Sequence, residues 1–397
     1  MNFIRTIVDQ IKIPKAPEEK KLIPLSIGDP SVFGNFNPPK NATDAIIAAV
    51  VEGKSNGYAP AHGHVRARTA VATKYTKPDR KALTPDDIII SNGCSEALKF
   101  IIHSSVGEGS NILCPFPGFT LYCTLATNNF AEIRGYNLFA DKRWECDFKH
   151  LETLVDSNTK AIIINNPSNP CGANYSVEHL LEIVAFARKH KLLIIADEIY
   201  GNMVFNGETF TSFAEVCADV PLVVAGGIAK QYLAPGWRLG WLIFYDIDGA
   251  LKELYAACVR MSQLVVGCNA LMQRALPNII LETPQEYYSN LNAQLEAHAM
   301  CLYNSVSDIP GLKAIKPQGA MYMMIKITME EFPTFKTDLE FTQALLDEEF
   351  VFVLPGLSFN SPGFIRCVFC APLAVLEDAG NRIRAFCLKH RVAPVSA

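Results

Sequence analysis

The sequence predicts an α/β protein with a mostly parallel central sheet in a large domain and a smaller α+β domain assembled from both termini. Two observations lead there. Short apolar runs alternate with longer helical patterns through the middle of the chain, the rhythm of strand–helix–strand units. The 397 residues also exceed what one core commonly supports, since domains run roughly 100–200 residues.

In chain order, the runs at 87–91, 111–114, 160–165, 192–197, 221–225 and 237–244 are short enough for strands and rich in large apolar residues. Residues 180–190 read as a crossover helix between two of them. Proline-rich punctuation falls at 37–40 and again at 276–284, ahead of a long helical pattern over 285–306. The expected division is therefore a large domain over 41–284, with residues 1–40 and 285–397 forming an N-terminal arm and a small C-terminal domain. No repeat of fixed period and no low-complexity tract is present.

Composition narrows the function classes. Hydrophobic residues at 49% against 19% charged describe a folded chain, and a net charge of −4 provides no basic field for nucleic acid or an anionic membrane. The longest apolar stretches fall far short of the ~20 residues of a membrane span. The first residues, MNFIRTIVDQIKIPKAPEEKK, intersperse charges with apolar groups and lack a secretory pattern, so a cytoplasmic location is expected, with a mitochondrial one left open. The 12 cysteines are scattered, and only Cys367 and Cys370 have C-x-x-C spacing. Zinc needs a second such pair or nearby histidines, so FIRCVFC, residues 364–370, reads as a buried strand and no metal is expected.

In an open α/β sheet, ligands gather at the carboxyl ends of the strands, so chemistry is sought just past each apolar run. The stretch AGGIAKQYLAPGWRLGW, residues 225–241, sets one amine, Lys230, and one guanidinium, Arg238, among glycines and aromatics after such a run. That suits a lysine that condenses with a carbonyl, although a single lysine is more commonly a surface residue. Three further segments add the groups that pyridoxal phosphate (PLP) needs. GCSEAL, residues 93–98, joins a glycine, the hydroxyl of Ser95 and a helix start into a phosphate cradle, though a plain N-cap turn looks the same. Arg238, read as a strand residue between Trp237 and Trp241, supplies a planar fork for phosphate oxygens. Asp197 in DEIY closes an apolar run, and a carboxylate buried there needs a partner such as a protonated ring nitrogen. Tyr200 and, in NNPSNPCG, Asn169 can donate to the cofactor's phenolic oxygen; the bland readings are a packed tyrosine and a turn asparagine. Phe119 in PGFTLY can stack on the ring, or simply belong to the core.

The order LSIGDP, NGYAP, GCSEAL, PGF-x-x-Y, NNPSNPCG, DEIY, GG-x-AK, PGWRLGW resembles the fold-type I PLP-dependent aminotransferases, from about Phe3 to His390. The resemblance implies that Lys230 holds PLP and moves a proton, that Asp197, Tyr200, Asn169 and Phe119 contact its ring, and that Cys94, Ser95 and Arg238 hold its phosphate. It further implies that Tyr58 reaches the phosphate of a neighbouring subunit, making a homodimer with shared sites, and that Gly28 and Arg366 receive the substrate carboxylate. Arg366 also has a physical case of its own, since an arginine in an apolar strand needs an anionic partner.

The implied reaction passes the amino group of an aromatic L-amino acid, tyrosine first, to a 2-oxo acid in two half-reactions. Alternatives on the same scaffold are a broad alanine- or aspartate-type aminotransferase, a C–S lyase, or a binding module without catalysis. Two places depart from the pattern: Gly267, Cys268 and Asn269 stand where a Gly-Pro-Cys segment is common, and His62 and His64 follow Tyr58. Both are expected near the substrate pocket.

Overall fold

The computed structural model describes residues 7, 9–15, 20–78 and 80–392. The parts of the terminal readings that fall on 1–6, 8, 16–19 and 393–397, including most of the segment read as lacking a secretory signal, lie outside the described residues. No described helix is long and apolar enough to cross a membrane.

Eight strands form the main sheet, in the spatial order Ile88–Ser91, Gly240–Tyr245, Leu222–Gly227, Leu193–Asp197, Thr159–Asn165, Asn111–Phe116, Glu132–Phe139 and Glu145–Cys146. The five consecutive strands from Leu222–Gly227 to Glu132–Phe139 are parallel. Gly240–Tyr245 runs antiparallel to both its neighbours. The expected strand at 237–244 thus starts at Gly240, because Arg238 takes a left-handed φ of 53° at the end of a short 3-10 turn, Pro235–Trp237. This corrects the strand placement of Arg238 and is what frees its side chain to reach back toward the site.

Side chains on these strands alternate between two apolar layers, as a sheet covered on both faces requires. Ile89, Ile112, Ile163, Ile195 and Val223 face the helix Cys94–Ser105 and the C-terminal region. Ile88, Leu113, Ile162, Ile194 and Val224 face the helices Val65–Tyr75, Val177–His190 and Ala270–Glu282. The crossover helix expected at 180–190 starts one turn earlier, where the Ser176 side chain accepts from His179 N–H.

A second, antiparallel sheet runs Leu312–Ala314, Tyr322–Ile327, Phe364–Val368, Leu354–Pro355. Its neighbour Val351–Phe352 pairs in parallel with Ile23–Pro24, tying the N-terminal segment to the C-terminal part of the chain. The long helix spans Gln285–Val306 and packs against Leu373–His390. Cys367 and Cys370 are buried free thiols, the first in a strand and the second just beyond it.

Candidate active site

The carboxyl ends of Thr159–Asn165, Leu193–Asp197 and Leu222–Gly227 meet the small sheet around a cavity of about 340 Å³, a size usual for small-molecule sites. Every residue expected at the site lines it except Tyr58: Gly28, Cys94, Ser95, Phe119, Asn169, Asp197, Tyr200, Lys230, Arg238 and Arg366. Tyr58 is 93% exposed and stands outside the cavity of its own subunit.

Asp197 is the last residue of its strand and is buried. Tyr122 Oη donates to Oδ2 at 2.7 Å, Ile199 N–H to Oδ1 at 3.2 Å and Cys94 Sγ to Oδ1 at 3.6 Å. Burial pushes the carboxyl pKa up, and the Tyr122 hydroxyl opposes that. No described cation forms an ion pair with it. A buried carboxylate supplied with donors and lacking a countercharge fits a protonated ring nitrogen in the cavity.

Glu198, the next residue, lies outside the cavity lining, accepting from Ser212 Oγ at 2.7 Å and Phe213 N–H at 2.8 Å, and burial pushes its pKa up to about 7. Because the folded value lies above the ordinary 4.5, the folded chain holds this proton more tightly than the unfolded one. Glu198 therefore contributes most at low pH, and that contribution is lost as pH rises toward 7. Glu198→Gln should remove about 3 kcal/mol of the fall in stability over that window. Denaturant unfolding of both proteins at pH 5 and pH 8 checks it; parallel pH profiles would contradict it.

The turn expected to cradle a phosphate is built by close approach. Gly93, at φ 85°, caps the helix Cys94–Ser105, and a Cβ there would stand 2.3 Å from Arg238 Nη2. The left-handed backbone favours glycine, and the space a Cβ would take is filled by the guanidinium, which is held by Pro235 O at 2.7 Å and Asn92 O at 3.0 Å. The first N–H groups of a helix have no partner within it, so Arg238, Ser95 and the helix start offer converging donors to an anion. The helix begins at Cys94, which puts Cys94 and Ser95 in its first turn.

Lys230 follows the strand Leu222–Gly227. Its Nζ donates to Gly28 O at 2.5 Å and lies 5.8 Å from the Tyr200 ring centroid, with no described carboxylate as partner. Phe119 meets Tyr122 edge-on at 5.8 Å. Asn169 is fixed by its N–H to Asn165 Oδ1 at 2.7 Å, and its Oδ1 accepts from Arg366 Nη1 at 3.1 Å.

Arg366 is 4% exposed, in the strand Phe364–Val368. Nη2 donates to Ser26 O at 2.5 Å, Nε is buried without a hydrogen-bond partner, and the rings of Tyr322 and Phe359 lie 4.6 and 4.8 Å from the guanidinium carbon. Burial lowers its pKa. No described carboxylate forms an ion pair with it, so its charge awaits an anion from outside the chain.

At the departures from the family pattern, none of His62, His64, Gly267, Cys268 or Asn269 lines the cavity itself, but Cys268 lies beside it, its Sγ 3.9 Å from the backbone oxygen of the lining residue Arg238. His64 and Asn269 instead cap helices, accepting from Arg66 N–H and Met272 N–H, while Gly267 packs on the Pro60 and Ala61 backbone. Tyr122, Tyr322 and Ser26 belong to the site without a sequence-based role. The PGF-x-x-Y spacing pointed to Tyr122; for Tyr322, which meets Tyr200 from 122 residues away, no local signal exists.

The donor set as a whole fits PLP: a cradle for its phosphate, a carboxylate for its ring nitrogen, an aromatic face and an amine. The chain matches the family model for aminotransferase class I and II over residues 20–383. It is 43% identical to the Homo sapiens protein named tyrosine aminotransferase, over 98% of this chain and 86% of that protein. Tyrosine aminotransferase from Leishmania infantum superposes with a TM-score of 0.94 at 37% identity, covering 98% of this chain and 97% of the other. Alanine aminotransferase from Pyrococcus furiosus superposes with a TM-score of 0.90 at 30% identity, covering 98% of each.

Proposed function

Because this chain belongs to the class I and II aminotransferases, whose cofactor is PLP and whose architecture is fold-type I, we propose that it moves the amino group of L-tyrosine to a 2-oxo acid. Other aromatic L-amino acids are included, and 4-hydroxyphenylpyruvate is the product from tyrosine. The observation that carries the reading is Arg366, a buried guanidinium with no described carboxylate as partner, lining the same cavity as the amine of Lys230.

PLP, when bound, supplies the carbonyl that takes up the amino group and the ring that draws electrons from the substrate Cα. Arg238, Ser95 and the start of the helix Cys94–Ser105 would hold its phosphate, Asp197 its ring nitrogen, Tyr200 and Asn169 its phenolic oxygen, and Phe119 one ring face. Arg366 binds the substrate carboxylate as a planar fork, with Asn169 fixing its orientation. Lys230 Nζ then carries the proton away from Cα, as a base held close to it rather than recruited from solvent.

Support for an aromatic donor comes from the cavity and from the relatives named tyrosine aminotransferase. The described cations lining the cavity are Lys230, Arg238 and Arg366. All three have a role already, and a dicarboxylate donor needs a further one for its second carboxylate. Steady-state kcat/KM for tyrosine, alanine and aspartate with a common oxo acid ranks the donors. Tyrosine is expected first, and a larger value for alanine or aspartate would contradict the reading.

The same reading includes a homodimer in the cytoplasm. Tyr58, at 93% exposure, Val51 at 82% and Leu264 at 73% are large apolar groups that a partner would cover, and Gly267 against Ala61 brings the last segment beside the loop of Tyr58. All twelve cysteines are free thiols, as suits a reducing compartment. If Tyr58 serves the neighbouring site, dimers mixed from Tyr58→Ala and Lys230→Ala chains recover one intact site. Activity in the mixture above the sum of the two parents is expected; simple additivity would argue for independent subunits.

A further inference from the structure

We propose that Tyr322 is a positioning residue that relays arrival of the substrate carboxylate at Arg366 to the hydroxyl of Tyr200. The proposal rests on the aminotransferase reading of the cavity and goes beyond it in giving a working part to a residue outside the expected set.

Tyr322 opens the strand Tyr322–Ile327 and pairs opposite Val368, while Met324 pairs opposite Arg366. Side chains two apart on a strand share a face, so Tyr322 and Arg366 are diagonal neighbours on one face of the sheet. The contact is direct, with the guanidinium carbon 4.6 Å from the ring centroid. At its other end, the Tyr322 hydroxyl lies 2.6 Å from that of Tyr200, and the two rings meet edge-on at 5.6 Å and 83°. Both tyrosines are buried. Space for this hydroxyl exists because residue 28 is glycine: a Cβ there would stand 2.8 Å from Tyr322 Oη. The carbonyl of that same glycine holds Lys230 Nζ. Arg366, Tyr322, Tyr200 and Lys230 thus belong to one continuous set of contacts.

The charge of Arg366 gives the relay its direction. A cation against the face of a phenol draws electron density from the ring and makes its O–H a better donor. Either hydroxyl can donate across this contact; in the relay Tyr322 donates to the Tyr200 oxygen, which leaves the hydrogen of Tyr200 free to point into the cavity. A carboxylate settling on Arg366 offsets the cation, weakens the Tyr322 donation and so alters the hydrogen bond that Tyr200 makes to the cofactor. The charged or titratable groups around Tyr200 include Asp197, Lys230, Arg366, Tyr322 and Tyr122. A second route leaves Arg366 through Asn169, but it bypasses the Tyr322 hydroxyl, so removing that hydroxyl isolates the relay.

The test uses the full chain loaded with PLP, and its readout is the pH at which the visible absorption band titrates. It is measured with and without saturating 3-(4-hydroxyphenyl)propionate, a carboxylate that has no amino group to transfer. Tyr322→Phe keeps the ring over Arg366 and removes only the hydroxyl. In the wild type the carboxylate moves the titration. In the Phe variant that movement is expected to shrink by about 0.5–1 pH unit, the size of one net hydrogen bond, with kcat falling several-fold, KM for tyrosine nearly unchanged and the melting temperature retained. Equal movement in both proteins would overturn the relay while leaving the aminotransferase reading intact. A wild-type chain with no titrating band and no oxo acid formed from tyrosine would overturn that reading, and the relay with it.

Discussion

Lys230→Ala is expected to end multiple turnover while leaving the fold in place. A positioned base of this kind accounts for roughly 10²–10⁴ in rate, and the amine is also the only one lining the cavity among the described residues. The structural cost is small. Lys230 Nζ makes one hydrogen bond, to Gly28 O, which is worth about 0.5–1.5 kcal/mol net. The variant should therefore melt within a few degrees of the wild type while its kcat falls by the full catalytic factor. Wild-type turnover in the alanine variant would remove Lys230 from the mechanism.

Arg366→Ala should cost about 2–5 kcal/mol in kcat/KM for every amino acid donor, the usual penalty for breaking a buried charge pair. The loss should be shared by tyrosine, phenylalanine and alanine alike, since the group being gripped is the carboxylate common to them. Arg366→Lys keeps the charge but not the two-pronged geometry, and should recover only part of the loss. Unchanged kinetics in the alanine variant would leave the buried guanidinium without its proposed partner.

Much of the scaffold was legible because its strands are buried on both faces. Runs such as 161–164 and 193–196 have no polar interruption, and the structure places them within a residue or two of where apolarity alone puts them. The helix over Gln285–Val306 matches its sequence pattern end to end. The strand Glu132–Phe139 was not visible, since it lies near the sheet edge and carries exposed glutamate and asparagine with no clean alternation. Arg238 looked like a strand residue because tryptophans flank it on either side, and nothing local announces its left-handed backbone. At the site, Asp197 and Lys230 were readable only together with the neighbouring segments 93–98 and 165–172, since a lone lysine after a strand is more commonly a surface residue. Tyr322 was not, because its role comes from a contact with Tyr200 that only the packing of the two sheets creates.

The measurement that bears most directly on this account is a half-reaction with no oxo acid present. The PLP-loaded chain is mixed with excess L-tyrosine, and 4-hydroxyphenylpyruvate is quantified against active sites. One equivalent per site, released with loss of the visible absorption band and absent from the Lys230→Ala chain, is the predicted result. Continuing release beyond one equivalent, or a loaded chain that yields no oxo acid from tyrosine, would contradict it.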